Sequence, residues 1–357
     1  MAGVDISRSL WIGALILITA VTPAKSDWWE GFKPIAELDP KLRGIVERSV
    51  VFIQAPAFGG ELKEADVEIV DVQSRAISRN VRPSKDPRKP QSRQVMEQLQ
   101  VETCRKQNLR YCPIFEQQSR STGLLEDGSI LNTCRHGFHN WLLMAMKANP
   151  GRTVQSITPP LIIYSLAGKV LYNSANVEAK ELLKITMIDD SPKFEKPFDQ
   201  INDLANANVQ SNGSLSDYFA ESRRLDYVEL TSPDRIAQPE AVIFDTGMLS
   251  WGNDPITLVG FSAKTNFYGD LRLDAPGAVA VATSGDISHL YPNDLYFTAK
   301  MPAQHGLSGG PVFNKYGEVM GIIIDSIDPS DVRENGWQSG FLVLDKAKLR
   351  ERWKARR

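Results

Sequence analysis

The sequence predicts an all-β protein, either a sandwich or a barrel. Three observations carry this expectation. Short apolar runs rich in Val, Ile, Leu and Phe recur along the chain, several are joined in pairs by glycine-containing turns, and only a few segments have helical character. The 357 residues, 42% hydrophobic and 24% charged, suffice for a full-sized core and exclude the disordered and fibrous classes. Acidic and basic residues nearly cancel to a formal charge of −2, so no global field argues for a nucleic-acid partner, and any binding specificity must be local.

Taken in order, residues 1–26 read as a secretory signal. Arg8 precedes the apolar stretch Leu10–Val21, and small residues follow at Thr22-Pro23-Ala24-Lys25-Ser26, so that the mature chain begins near Asp27. An uncleaved membrane anchor is the alternative, but about a dozen apolar residues fall short of the roughly 20 that span a bilayer. The export signal implies a periplasmic or extracellular location. Residues 27–44 form an N-terminal extension that runs into a helical stretch near Pro40–Glu47, and Ser49–Ile53 reads as a first, buried strand.

From Gly59 to about Arg110 the chain is polar, with Arg82-Pro83-Ser84-Lys85-Asp86-Pro87-Arg88-Lys89-Pro90 at its middle. That composition predicts a long solvated excursion rather than a packed element. Thr122–Leu131 then gives two apolar runs around the Asp127-Gly128 turn, a hairpin that delivers the chain to His136. A helix is expected over Asn140–Lys147, stopped by Pro150-Gly151, and a second hairpin joins Leu161–Leu166 to Lys169–Tyr172. Residues 189–216 read as a surface insertion. Strand-like runs resume at Asp226–Leu230, Ala241–Phe244, Ile256–Phe261 and Ala278–Val281. Val312-Phe313 and Glu318–Ile324 flank Asn314–Gly317 as a further hairpin, and Ser339–Leu344 is followed by a terminal helix over Lys346–Arg357. This basic helix reads as a solvated helix end, with a weak contact to an anionic membrane surface as the alternative. Nothing in the sequence specifies an oligomeric state.

There are three cysteines. In an oxidising compartment Cys104 and Cys112, close in sequence, are the pair expected to form a disulfide. Cys134 is left over, two residues before His136, and reads as a small buried residue at a strand end. Nothing around it resembles a strained turn that would present a thiolate as a nucleophile.

Acyl transfer by a hydroxyl requires an adjacent base and donors aimed at the developing oxyanion. The run Gly306-Leu307-Ser308-Gly309-Gly310-Pro311 can supply a nucleophile, Ser308, on a backbone whose glycines let the amides of Gly306 and Ser308 turn toward one point as an oxyanion hole. Of the four histidines, His136 has the context of a base, lying between a strand and a helix. His139, one helical turn on, is expected to face solvent or pack against the loop. His305 belongs to the same turn as Ser308 and could instead contact substrate. The carboxylate that orients the imidazole is assigned to Asp226 at the start of a strand, with Asp217 as its rival. An α/β-hydrolase esterase would need its histidine after the serine, and no histidine follows Ser308.

Thr133-Cys134-Arg135-His136, then Asp226-Tyr227-Val228-Glu229-Leu230, then Gly306-Leu307-Ser308-Gly309-Gly310-Pro311-Val312 resemble the trypsin-like serine protease superfamily, in its order His, Asp, Ser. The long polar loop after the first strand, the hairpin after Ser308 and the closing Ser339–Leu344 strand look most like the HtrA/Deg-type bacterial protease domain, without a PDZ domain. The resemblance covers roughly residues 45–350. It implies an all-β, chymotrypsin-like double β-barrel with a C-terminal helix and long loop insertions, with barrel one over about 45–235, barrel two over about 236–345 and the helix at 346–357. It also implies endopeptidase action on a polypeptide substrate, without cofactor or metal. The chain departs from the family at Cys134 and Arg135, where small or amide residues are usual, and Arg135 either points outward or changes how the base is held. The separation of His136 from Asp226 is also longer than usual. The substrate pocket is expected between Phe297–His305 and Gly321–Ile324. No acidic residue lies among Thr298–Gln304, which argues against a preference for Lys or Arg and favours small or aliphatic side chains. The reading from another class is a catalytically inactive, protease-fold binding protein.

Overall fold

Strand β2 shows how the sequence makes this fold. Its apolar run is nearly continuous because both of its faces are buried. Val51, Ile53 and Ala55 enter one core, while Val50 and Phe52, on the opposite face, enter a second. The structure, a computed structural model, describes residues 31–57, 62–74, 91–188, 226–234, 236, 255–261, 280–290, 296–302, 306–327 and 340–345.

Among these residues the chain is mostly β. In order, the strands are β1 (Phe32–Pro34), β2 (Val50–Ala57), β3 (Glu68–Asp71), β4 (Tyr111–Ile114), β5 (Gln117–Glu126), β6 (Ile130–Cys134), β7 (Ile162–Ser165) and β8 (Val170–Asn173). They continue as β9 (Lys184–Ile188), β10 (Tyr227–Thr231), β11 (Ile256–Phe261), β12 (Ala280–Leu290), β13 (Tyr296–Lys300), β14 (Pro311–Phe313), β15 (Val319–Ile327) and β16 (Gly340–Asp345). The α-helices are α1 (Pro40–Ser49), α2 (Gln91–Lys106) and α3 (His139–Ala148).

Two seven-stranded antiparallel sheets carry the architecture. The first has the order β8-β7-β2-β5-β6-β10-β9 and is open among the described residues. In the second, the pairings of β12, β11, β14, β15, β16 and β13 return to β12, so these strands form a closed ring with β1 added outside β12. The segment read as an N-terminal extension therefore contributes a strand, Phe32 pairing with Thr283. The second core bridges the sheets, with the ring of Phe52 on β2 edge-on to that of Phe261 on β11 at 5.3 Å. Truncating either ring would cost about 3–5 kcal/mol.

The turns follow local chemistry. Asp127 and Gly128 both take positive φ, +49° and +77°, at the centre of the turn joining β5 to β6, in which the Ser129 amide donates to the Glu126 carbonyl at 3.3 Å. Helix α1 is capped by Asp39, whose carboxylate accepts from the amide of Lys41 at 2.9 Å, and Pro40 opens it.

The polar stretch after Gly59 corrects the sequence reading. Part of it is α2, a helix of 16 residues whose Met96, Leu99, Val101 and Cys104 are buried. Its polar residues are used internally. Gln100 donates through Nε2 to the Phe115 carbonyl at 2.9 Å and accepts from the Phe115 amide at 2.8 Å, while the Thr103 hydroxyl donates to the Leu99 carbonyl at 2.7 Å. A composition that reads as solvated therefore belongs to a packed helix, because Gln100 and Thr103 satisfy backbone and side-chain groups inside the core. The expected disulfide between Cys104 and Cys112 fastens the end of α2 to β4. Helix α3 is anchored by Trp141, which is fully buried and donates through Nε1 to the Pro113 carbonyl at 3.1 Å. Of the two placements expected for His139, the solvent-facing one is excluded: the residue is 1% exposed, because α3 turns its first residues into the core. The basic cluster Arg82–Pro90, the insertion 189–216, the run Ala241–Phe244, the terminal helix Lys346–Arg357 and the signal sequence lie outside the described residues. None of the described helices is long and apolar enough to cross a membrane.

Candidate active site

The register of two neighbouring strands builds the first half of the site. Tyr227, the first residue of β10, pairs with Cys134, the last of β6. The residue before Tyr227 therefore meets the residues after Cys134, and Asp226 is brought to Arg135 and His136. Its side chain is fully buried and fully engaged. Oδ1 accepts from the amides of His136 at 2.7 Å and Arg135 at 3.1 Å, Oδ2 faces His136 Nδ1 at 2.8 Å, and the Asp226 carbonyl accepts the Arg135 amide at 2.8 Å. A carboxylate only accepts, so it fixes the neutral imidazole as the tautomer with hydrogen on Nδ1 and a lone pair on Nε2. The His136 side chain is 33% exposed, in contrast to the fully buried Asp226.

Burial pulls the His136 pKa down, but the Asp226 carboxylate, the neighbouring Cys134 and the hydrogen bonds to both outweigh it and hold the pKa well above the ordinary imidazole value. Cys134 is free and buried, as expected for a strand end, and its Sγ lies 3.7 Å from His136 Nε2. Arg135 is 1% exposed, so of the two alternatives for it the outward one is excluded.

The second half comes from the other sheet. Between β13 and β14 the chain turns through Gly306 and Gly309, at φ +93° and +85°, with Ser308 half-buried between them. The turn is held by Gly309 donating to the Ile323 carbonyl at 2.6 Å, Gly310 to the Leu307 carbonyl at 2.8 Å, and Ile323 to the Gly310 carbonyl at 2.9 Å. A Cβ on residue 309 would lie 2.1 Å from the Thr122 carbonyl oxygen, 2.4 Å from Thr133 Oγ1 and 3.0 Å from the Cys134 amide nitrogen. Only glycine lets the turn seat against β5 and β6, next to the segment that carries His136. No group among the described residues accepts the amide of Gly306 or Ser308.

The structure thus joins His136 to Asp226 directly and seats the Ser308 turn against the strand that leads to His136. Among the described residues no hydrogen bond joins the Ser308 hydroxyl to the imidazole, and Nε2 faces Cys134 instead. Gly321–Ile324 are buried within β15, and Phe297, Ala299 and Met301 are buried in and just after β13. His305 and Asp217 lie outside the described residues. Two residues gain a place at the site that sequence reasoning did not give them. Thr122, read only as part of a hairpin, touches the serine turn. Cys134 contacts the imidazole, and its position two residues before His136 was the only signal for that.

No protein-family model matches the chain, and no curated protein matches it. Among solved structures it is similar to the active form of the Rv3671c protease from M. tuberculosis, with a TM-score of 0.38 and 12% identity over 88% of this chain and 86% of that one. It is also similar to the inactive form of that protease, with a TM-score of 0.33 and 14% identity over 66% of this chain and 83% of that one.

Proposed function

We propose that this chain is an exported serine endopeptidase on a chymotrypsin-like double barrel, close in design to the HtrA/Deg-type protease domain, with Ser308 as nucleophile, His136 as general base and Asp226 as its orienting carboxylate. The observation that carries the reading is the buried Asp226, placed by strand register and held by two main-chain amides, accepting from Nδ1 of a partly exposed imidazole at 2.8 Å. A desolvated carboxylate aimed at a partly exposed histidine is the arrangement by which active sites orient and charge a general base.

In this mechanism the Ser308 oxygen bonds to the scissile carbonyl carbon while Nε2 takes the hydroxyl proton. The carbonyl electron pair moves to oxygen, where the amides of Gly306 and Ser308 stabilise the oxyanion. Asp226 stabilises the imidazolium without taking its proton. Collapse breaks the carbon–nitrogen bond, His136 returns the proton to the leaving amine, and an acyl ester remains on Ser308. Water then attacks that ester with His136 again as base, releasing the carboxylic acid. The absence of acidic residues among Thr298–Gln304 favours substrates with small or aliphatic side chains.

A second reading, a binding protein that kept the fold without catalysis, is favoured by the Cys134 contact at Nε2 and by the missing bond from Ser308 to His136. Catalytic hydrogen bonds are often long before substrate binds, so the first reading stands above it. A fluorophosphonate probe separates the two. Labelling of wild type that is lost in both Ser308→Ala and His136→Ala supports the enzyme, and a folded wild-type protein that does not label refutes it.

A further inference from the structure

Beyond the three residues assigned above, we infer that Thr122 is a positioning residue that locks the nucleophile turn into its productive shape by tying it to both sheets at once. The inference rests on the reading of Ser308 as nucleophile.

Thr122 is fully buried on β5, opposite Phe52 of β2, and every polar group it has is engaged at the site. Its amide donates to the Ser308 carbonyl at 2.9 Å. Its hydroxyl donates to the Gly306 carbonyl at 2.9 Å and accepts from the Phe261 amide of β11, also at 2.9 Å. Its carbonyl accepts from the Thr133 hydroxyl at 2.7 Å. The direction of the hydroxyl's two bonds is forced, because the Phe261 amide can only donate and the Gly306 carbonyl can only accept.

The consequence lies in the peptide planes. Holding the Gly306 carbonyl fixes the plane of the 306–307 peptide, and holding the Ser308 carbonyl fixes that of the 308–309 peptide. The peptide between them, which carries the Ser308 amide, is bracketed on both sides. Thr122 therefore governs where one of the two proposed oxyanion donors points while touching neither substrate nor imidazole. The close approach is built in. A Cβ on residue 260 would lie 2.9 Å from Thr122 Oγ1 and 3.0 Å from Leu307 Cδ2, and a Cβ on residue 309 would collide with the Thr122 carbonyl. Two glycines from different parts of the chain leave the room that Thr122 and the turn occupy.

The experiment compares Thr122→Val, which keeps the shape and removes the hydroxyl, with Thr122→Ser, which keeps the hydroxyl. The readouts are steady-state peptide hydrolysis, affinity for a peptide aldehyde, and hydrogen exchange of the peptide spanning the nucleophile turn. Thr122→Val is expected to lower kcat by about 10- to 100-fold and to weaken aldehyde binding in parallel. KM should stay within about twofold of wild type. Its turn should exchange faster than wild type, and Thr122→Ser should restore all of these values. Unchanged kcat in Thr122→Val, a loss confined to KM, or an equal loss in Thr122→Ser would overturn the inference. If Thr122→Val does not fold, Thr122→Ala takes its place in the same comparison. If wild type hydrolyses nothing, the proposed function fails, and the exchange measurement still decides: faster exchange restored by serine supports the positioning role, and unchanged exchange overturns it.

Discussion

Replacing Asp226 by asparagine tests the carboxylate's role while leaving most of the geometry in place. The asparagine would keep an oxygen where Oδ1 accepts the amides of Arg135 and His136, at 3.1 and 2.7 Å, so the turn after β6 retains its anchor. In place of Oδ2 it would present an amide nitrogen to His136 Nδ1, now 2.8 Å from an acceptor. An amide there donates, so the imidazole must accept through Nδ1 and carry its hydrogen on Nε2, the nitrogen that should take the proton of Ser308. The wrong tautomer costs about 10⁴-fold in kcat where such an exchange leaves the geometry intact. Stability should fall only by about 1–2 kcal/mol, for hydrogen bonds that lose their charge. Asp226→Ala separates the two effects. It leaves the His136 amide and Nδ1 without their acceptor, at about 1–3 kcal/mol each, while the Arg135 amide keeps the Asp226 carbonyl at 2.8 Å, so its unfolding free energy should drop by about 2–6 kcal/mol. The assay is the rate of fluorophosphonate labelling and peptide hydrolysis, alongside urea unfolding of all three proteins. Asp226→Asn with kcat within tenfold of wild type would refute the reasoning, because the tautomer would then not depend on residue 226.

Other predictions follow from the same contacts. Burial opposes the imidazolium, but Asp226 and Cys134 together raise its pKa, so the acid limb of kcat/KM should lie above about pH 6.5. By linkage, the stabilising contribution of the protonated ring is fully present below about pH 6.5 and lost as pH rises through the raised folded value; urea unfolding of wild type and His136→Gln across that window checks the sign. Cys134→Ala removes one of the groups that lift the imidazole, and the His136 ring should then titrate at lower pH than in wild type, as followed by NMR on a Ser308→Ala background. Gly309→Ala places a methyl group 2.1 Å from the Thr122 carbonyl at a φ of +85°, and thermal unfolding should show a loss of about 3 kcal/mol or more. Removing the disulfide by Cys104→Ser with Cys112→Ser opens a loop with a sequence separation of 8, worth about 2–3 kcal/mol in chain entropy and measurable by denaturant unfolding.

What the sequence made legible is mostly what local chemistry determines. The hairpins at Asp127-Gly128 and Asn314–Gly317 and the strands around Ile53, Val259 and Ile323 were readable because turn residues and apolar runs act over a few positions. The Cys104–Cys112 pair was readable for the same reason. Helix α2 was not, because Gln100 and Thr103 look solvated until their partners at Phe115 and Leu99 are in place. For His139 the sequence left a solvent-facing and a packed position open, since its burial depends on which way α3 enters the core. Asp226 could be preferred over Asp217 only as a residue at a strand start. The register that pairs Tyr227 with Cys134 is a long-range fact, and it is what brings that carboxylate to His136. Thr122 was illegible in principle, because its partners Phe261, Gly306 and Ser308 are distant in sequence and nothing local marks its hydroxyl as engaged.

The two halves of the site rest on different kinds of contact, and this decides how each can fail. The bonds between His136 and Asp226 lie within one sheet, at the joined ends of β6 and β10, so the base and its orienting group keep their geometry wherever the second sheet sits. Ser308 belongs to the second sheet, and its distance from Nε2 depends on contacts that cross between sheets: the Thr122 bonds, the seating of Gly309 and the packing of Phe52 on Phe261. A change in those crossing contacts can therefore abolish hydrolysis while leaving the titration of His136 untouched. A change at Asp226 must alter both. Measured together, imidazole titration and serine labelling distinguish a damaged base from a displaced nucleophile, which activity alone cannot do.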